Sequence, residues 1–137
     1  MSWDISVYAS SKAPQPVEQM PDDWTGDTLG TNREVRALIS GCFPSVDWSD
    51  PFWGILRTDE YSLEFNMGRS AQVDSSDGFM IHVRGGGDAV AAMCALSVDT
   101  GWYLLDCSQS EWLHHCDDKE VGWKGFQQYR DHVASNL

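Results

Sequence analysis

The chain has 137 residues, 42% of them apolar, with seven Trp, five Phe and four Tyr, which is enough to build one domain, residues 1–137, around its own core. Asp and Glu number 21 against nine Lys and Arg, a formal net charge of −12. That sign repels a phosphate backbone and sets nucleic acid aside, whereas a basic protein, a cationic ligand or a metal ion suits it.

Met1-Ser2-Trp3-Asp4-Ile5 has no basic segment leading into an apolar run, and no stretch approaches the ~18 apolar residues that span a bilayer; a cytoplasmic protein with no membrane partner is expected. From residue 3 to residue 9, Trp3, Ile5 and Val7 alternate with Asp4, Ser6 and Tyr8, the period of a half-buried strand. Residues 10–30 gather Pro14, Pro16, Pro21, Gly26 and Gly30 among carboxylates and read as a long acidic loop. Thr31 and Glu34 have the spacing of a capping box, and Val35, Leu38, Ile39 and Cys42 then recur at helical spacing, so a helix is expected over residues 31–42. Residues 46–51 read as turn. Three strands follow at 52–58, 61–67 and 79–84, the first two joined by a tight hairpin at Asp59-Glu60. Gly85-Gly86-Gly87 breaks the sheet, and Asp88 caps a helix to residue 100 with Val90, Met93, Cys94 and either Leu96 or Val98 on its apolar side. Gly101 closes it. Residues 102–107 read as a strand, 111–116 as a weaker one, and 124–137 as a helix carrying Phe126, Tyr129, Val133 and Leu137 on one face.

The order β-α-β-β-β-α-β-(β)-α predicts an α+β domain, a mainly antiparallel sheet of four to six strands with helices packed on one face. Cys42, Cys94, Cys107 and Cys116 have no metal-finger spacing and are expected to be reduced thiols.

The triple glycine is a poor anion loop: a dinucleotide fingerprint needs glycine where Val90 stands, a P-loop needs Lys followed by Ser or Thr, and Asp88 opposes a phosphate. A simple turn explains it better. His114, His115 and Cys116 are the densest candidate metal ligands. Consecutive strand residues point to opposite sides, however, so an ion would need His82 or His132 as well, and a polar loop with no metal is the simpler account. On the helix-free face of the sheet, Glu64 and Asn66 should align with His82 and Arg84. A carboxylate beside an imidazole can do acid–base work, and it can equally be an ordinary cross-strand pair. No nucleophile motif accompanies it. Trp3, Trp53 and Trp102 fall in strand patterns and are assigned to the core. Trp24, Trp48, Trp112 and Trp123 fall in loops, three of them directly after a carboxylate. They either fold back over the core or, with Asp22, Asp23, Asp47, Asp50 and Glu111, offer aromatic and anionic groups to a basic surface.

The segments Met1-Ser2-Trp3-Asp4-Ile5, Phe43-Pro44, Asp47-Trp48-Ser49-Asp50-Pro51, Ser62-Leu63-Glu64-Phe65-Asn66, His82-Val83-Arg84, Gly101-Trp102 and Gly122-Trp123 resemble a family of short uncharacterised bacterial proteins that open Met-Ser-Trp-Asp. In size and acidity the chain is also similar to immunity proteins that neutralise toxins. The expectation is therefore a bacterial protein-binding module, not an enzyme and without a cofactor, that captures a basic protein. The alternative is a small enzyme or ligand-binding protein using Glu64, Asn66, His82 and Arg84.

Overall fold

The computed structural model describes residues 1–68, 77–116 and 118–135. In chain order these form strand β1 (Trp3–Tyr8), helix α1 (Asn32–Cys42), strands β2 (Asp47–Asp50), β3 (Trp53–Arg57), β4 (Tyr61–Asn66) and β5 (Phe79–Gly85), helix α2 (Ala89–Thr100), strands β6 (Tyr103–Asp106) and β7 (Glu111–Trp112), and helix α3 (Val121–Ser135). The strands make one sheet in the order β2-β3-β4-β5-β1-β6-β7, with every neighbouring pair antiparallel. The α+β class and the antiparallel meander are as expected, but seven strands exceed the expected four to six. The addition is β2, whose Asp-Trp-Ser-Asp sequence has turn chemistry. It serves at the sheet edge because only two of its residues pair, Asp47 with Ile55 and Asp50 with Trp53, across a register shift.

All three helices supply the same face. Trp3, Ile5, Val7, Leu63, Phe65, Ile81, Val83 and Leu104 point inward from the sheet and meet Val35 and Ile39 of α1, Val90, Met93 and Leu96 of α2 and Trp123 of α3. Burying such side chains is worth about 1.5–3 kcal/mol each, which is why alternation in the strands and helical spacing in the helices select this arrangement. The caps are formed as their residues require. Thr31 Oγ1 accepts from Glu34 N at 3.1 Å while Thr31 N donates to Glu34 Oε1 at 3.0 Å; Asp88 accepts from Ala91 N; Gly101 ends α2 with a left-handed φ of 76°.

Some assignments change. Leu38 is 44% and Val98 83% exposed, so α1 buries a narrower stripe than its spacing suggests and α2 uses Leu96. Helix α3 starts at Val121, three residues before Lys124, and Trp123 is buried in its first turn rather than in a loop. Tyr129 faces solvent, and Leu137 lies outside the described residues. The weak strand over 111–116 shrinks to Glu111–Trp112, followed by a 3-10 turn at Leu113–His115.

The most instructive change exchanges two tryptophans. In β3 the inward positions are Gly54 and Leu56, so Trp53 points to the helix-free face. Gly54 leaves a hole, and the Trp48 indole fills it: a Cβ at Gly54 would stand 2.6 Å from the Trp48 ring. Trp48 also packs on Phe65 and donates from Nε1 to Ser40 Oγ at 3.0 Å.

The long loop is tied down across the other end of the sheet. Asp27 bridges to Ala9, Val17 N donates to Glu111 Oε1 at 3.1 Å, and a short 3-10 turn forms at Val17–Gln19. Tyr8, Trp24 and Trp112 then meet edge to face, each pair of ring centroids 5.7 Å apart.

Candidate functional site

The helix-free face carries two parallel rows of side chains that cross five strands. One row runs Asp4, His82, Glu64, Ile55, Asp47, and the next runs Ser6, Met80, Asn66, Trp53, Asp50. At the β2 edge the rows end in two carboxylates. Strict alternation would send Asp47 and Asp50, three residues apart, to opposite faces. The register shift inserts one extra residue into β2 between them, and that brings both beside Ile55 and Trp53. Asp47, Asp50, Trp53 and Ile55 thus line a notch of about 170 Å³ together with Ser49. Asp47 is held in place by Ser49, whose hydroxyl and N–H both donate to Oδ1, at 2.6 and 2.8 Å. Those bonds hold its carboxyl below the usual range, with Arg57 a minor contributor. Asp50 Oδ1 accepts from Phe52 N at 2.9 Å, which shapes the β2–β3 turn. Two carboxylates beside an indole face complement a guanidinium or ammonium group, by charge and by cation–π contact.

In the middle of the rows the polar residues are bonded to one another. His82 Nδ1 lies 2.8 Å from Asp4 Oδ1, and Asn66 Nδ2 lies 3.3 Å from His82 Nε2. Because Gly68 N donates to Asn66 Oδ1 at 3.1 Å, the amide presents its NH₂ to the ring. Nε2 is therefore the acceptor, and Nδ1–H donates to Asp4 Oδ1. Trp53 stacks on the ring at 5.7 Å. Arg84 pairs with Glu64 and donates from Nε to the Met1 carbonyl at 3.0 Å. The structure thus places Glu64, Asn66, His82 and Arg84 on one face in two bonded groups, Asp4–His82–Asn66 and Glu64–Arg84, and adds Asp4 and Trp53, which the sequence reading did not include. Both nitrogens of His82 are engaged, so the ring acts as a brace between strands in this arrangement, not as a base facing solvent.

The other sequence candidates lie apart. Asp22 and Asp23 are exposed on the long loop. Trp24 and Trp112 belong to the aromatic cluster with Tyr8, and Trp112 is 1% exposed; its Nε1 donates to Met20 Sδ at 3.2 Å. Glu111 is occupied with the N–H groups of Val17 and Trp112. The loop tryptophans of the expected partner surface are turned inward, and Trp53, assigned to the core, faces outward. His114 and His115 have ring centroids 4.2 Å apart, yet His115 Nε2 donates to the Pro14 carbonyl at 2.7 Å and Cys116 Sγ to the Trp112 carbonyl. His82 is in the sheet-face network, away from them. Burial first, and the neighbouring His115 second, push the His114 imidazole below its ordinary pKa. Among the described residues no group of three His, Cys, Asp or Glu is placed to hold a metal ion. At the triple glycine, Gly86 N donates to the Glu60 carbonyl, and a Cβ at Gly87 would stand 2.2 Å from Glu60 Oε2. A carboxylate already fills the place an anion would take.

Comparison with known proteins adds no precedent: no protein-family model, no curated protein and no solved structure matches the chain. No helix among the described residues is long and apolar enough to cross a membrane.

Proposed function

We propose that this domain is a non-catalytic binding module for a basic protein, and that the notch on the β2 edge receives a cationic side chain of that partner. The observation that carries the reading is the pair of carboxylates which the register shift in β2 sets beside Trp53. A formal charge of −12 supplies long-range attraction, and the exposed Asp22 and Asp23 extend the same sign along the loop. Neutralising a toxin by covering its basic site would be one instance of this role. A cytoplasmic setting agrees with four cysteines that form no disulfide.

The test is affinity capture from the native cell at several salt concentrations, with wild type, Asp47→Asn/Asp50→Asn and Asp22→Ser/Asp23→Ser. A basic partner should be recovered by wild type, weaken as salt shortens the Debye length toward ~3 Å at 1 M, and be lost chiefly from the notch variant. Retention by the notch variant with loss from the loop variant would move the surface to the loop, and equal retention by both would refute acidic capture.

One observation favours the alternative of a catalytic or ligand-binding sheet face, the 2.8 Å contact between Asp4 and His82. As a brace, His82→Gln should lower stability and leave partner capture in place. Turnover of any substrate that vanishes in His82→Gln at unchanged stability would favour the alternative.

A further inference from the structure

On the helix-covered side of the sheet, between α2, β6 and the 3-10 turn that follows β7, lies a pit of about 210 Å³ that plays no part in the surface just described. Its wall is apolar: Met93, Leu104 and Leu113 line it, and each is at most 5% exposed. A dry cavity of about 150 Å³ with similar walls accepts benzene, so this volume has room for one ring or a short chain with a small head group. An occupant would also remove apolar wall from water, which is favourable by roughly 25 cal/mol per Å².

The mouth carries a cation: its ionisable side chains are Lys119, His114 and the Cys94 thiol, and among the described residues no carboxylate lines it. Lys119 helps to lower the His114 pKa behind burial and His115, while Glu111, which does not line the pit, acts to raise it. The neighbouring Asp118 does not line the pit, and its Oδ1 accepts from Glu120 N at 2.9 Å in the turn before α3. In a chain of 21 acidic and nine basic residues, an apolar pit lined by a lysine and, among the described residues, by no carboxylate favours an anion over a cation.

We infer that this pit is a binding site for a small apolar anion, an aromatic or short-chain carboxylate, with its ring or chain against Met93, Leu104 and Leu113 and its head at Lys119. Val98, 83% exposed on the rim, sets the width of the entrance.

The probes are benzoate, benzyl alcohol and benzylamine, three single-ring compounds that differ in charge, titrated into the full ¹⁵N-labelled chain at low salt. Benzoate should give saturable shifts at the amides of Cys94, Leu113 and Lys119 and should slow alkylation of Cys94 but not of Cys107. Benzyl alcohol should bind more weakly and benzylamine least. Lys119→Gln should weaken benzoate about fivefold, equivalent to about 1 kcal/mol, and leave benzyl alcohol unchanged. Val98→Trp, a change at an exposed position that should not disturb folding, should close the mouth and reduce binding of both. The inference is overturned by any of three results: no saturable benzoate shift, benzylamine binding as tightly as benzoate, or benzoate binding unaffected by both substitutions.

Discussion

The sharpest test of the packing is the same substitution made at two glycines of α3. Gly122 and Gly125 lie one turn apart, and on helix propensity alone alanine at either should stabilise the helix by up to about 1 kcal/mol. Their surroundings differ completely. A Cβ at Gly125 meets nothing within 4 Å, whereas one at Gly122 would stand 2.0 Å from Asp106 Oδ2 and 2.7 Å from both Ser108 Oγ and Trp3 Nε1. None of these neighbours yields easily. Asp106 is 1% exposed, and its Oδ1 accepts from Ser108 N at 2.9 Å and Ser108 Oγ at 2.6 Å. Trp3, also 1% exposed, packs at a tilt against Trp123, and its indole N–H finds no acceptor among the described residues. Overpacking of this kind costs about 1–3 kcal/mol, occasionally more. With contacts this close on two buried side chains the upper end applies, and the gain in propensity offsets part of it. Gly122→Ala should therefore destabilise by about 2 kcal/mol, or roughly 6–8 °C in Tm for a chain of this length, while Gly125→Ala should raise stability by up to about 1 kcal/mol. Urea unfolding followed by tryptophan fluorescence reads both. Equal effects of the same sign would refute the placement of α3 against Asp106 and Trp3.

Other expectations follow from single residues. Trp48→Ala, which empties the space over Gly54, should cost about 2–4 kcal/mol, whereas Trp53→Ala, on the open face, should cost about 1 kcal/mol or less and act mainly on partner capture; the same unfolding assay separates them. Thr31→Ala should lower stability by about 1 kcal/mol through loss of the cap on α1. Hydrogen bonds from Thr31 hold the Glu34 carboxyl below its ordinary value, and those from Ser49 do the same for Asp47. A depressed carboxyl pKa stabilises the fold above the unfolded value and ceases to do so as pH falls through the folded one. Stability should accordingly decline below about pH 4.5, less steeply in Thr31→Ala, as measured by Tm against pH. Burial first, and Asp99 second, push the Cys42 thiol up to about 11, so at pH 8 iodoacetamide should label exposed Cys107 well before Cys42, as peptide mass spectrometry would show.

What the sequence made legible was local. Capping at Thr31 and Asp88, the left-handed stop at Gly101 and the alternation in β1, β4 and β5 involve residues within a few positions of one another, so pattern and structure agree there. What it hid depends on partners far along the chain. The apolar spacing from Phe126 onward marks α3 only from Lys124, yet Gly122 sits inside the first turn, where Asp106 and Trp3 leave no room for a side chain. Asp4 could be named as the partner of His82 only once β1 was known to lie beside β5, a pairing across 78 positions. The tryptophans failed for a related reason. Alternation describes a strand of uniform register, and β2 and β3 are not uniform: one inward position is glycine, and one residue too many lies between Asp47 and Asp50. The first fact draws Trp48 into the core. The second turns both carboxylates to the face that Trp53 occupies. The proposed partner surface is therefore a product of an irregularity at the sheet edge. Deleting Ser49 removes the extra residue and leaves Asp47 and Asp50 two positions apart, so plain alternation keeps both on the face that Trp53 occupies. Capture of a basic partner should therefore survive that deletion, with the helices and central strands still folded by circular dichroism. A deletion variant that is folded and no longer captures the partner would show that the paired carboxylates are not what holds it.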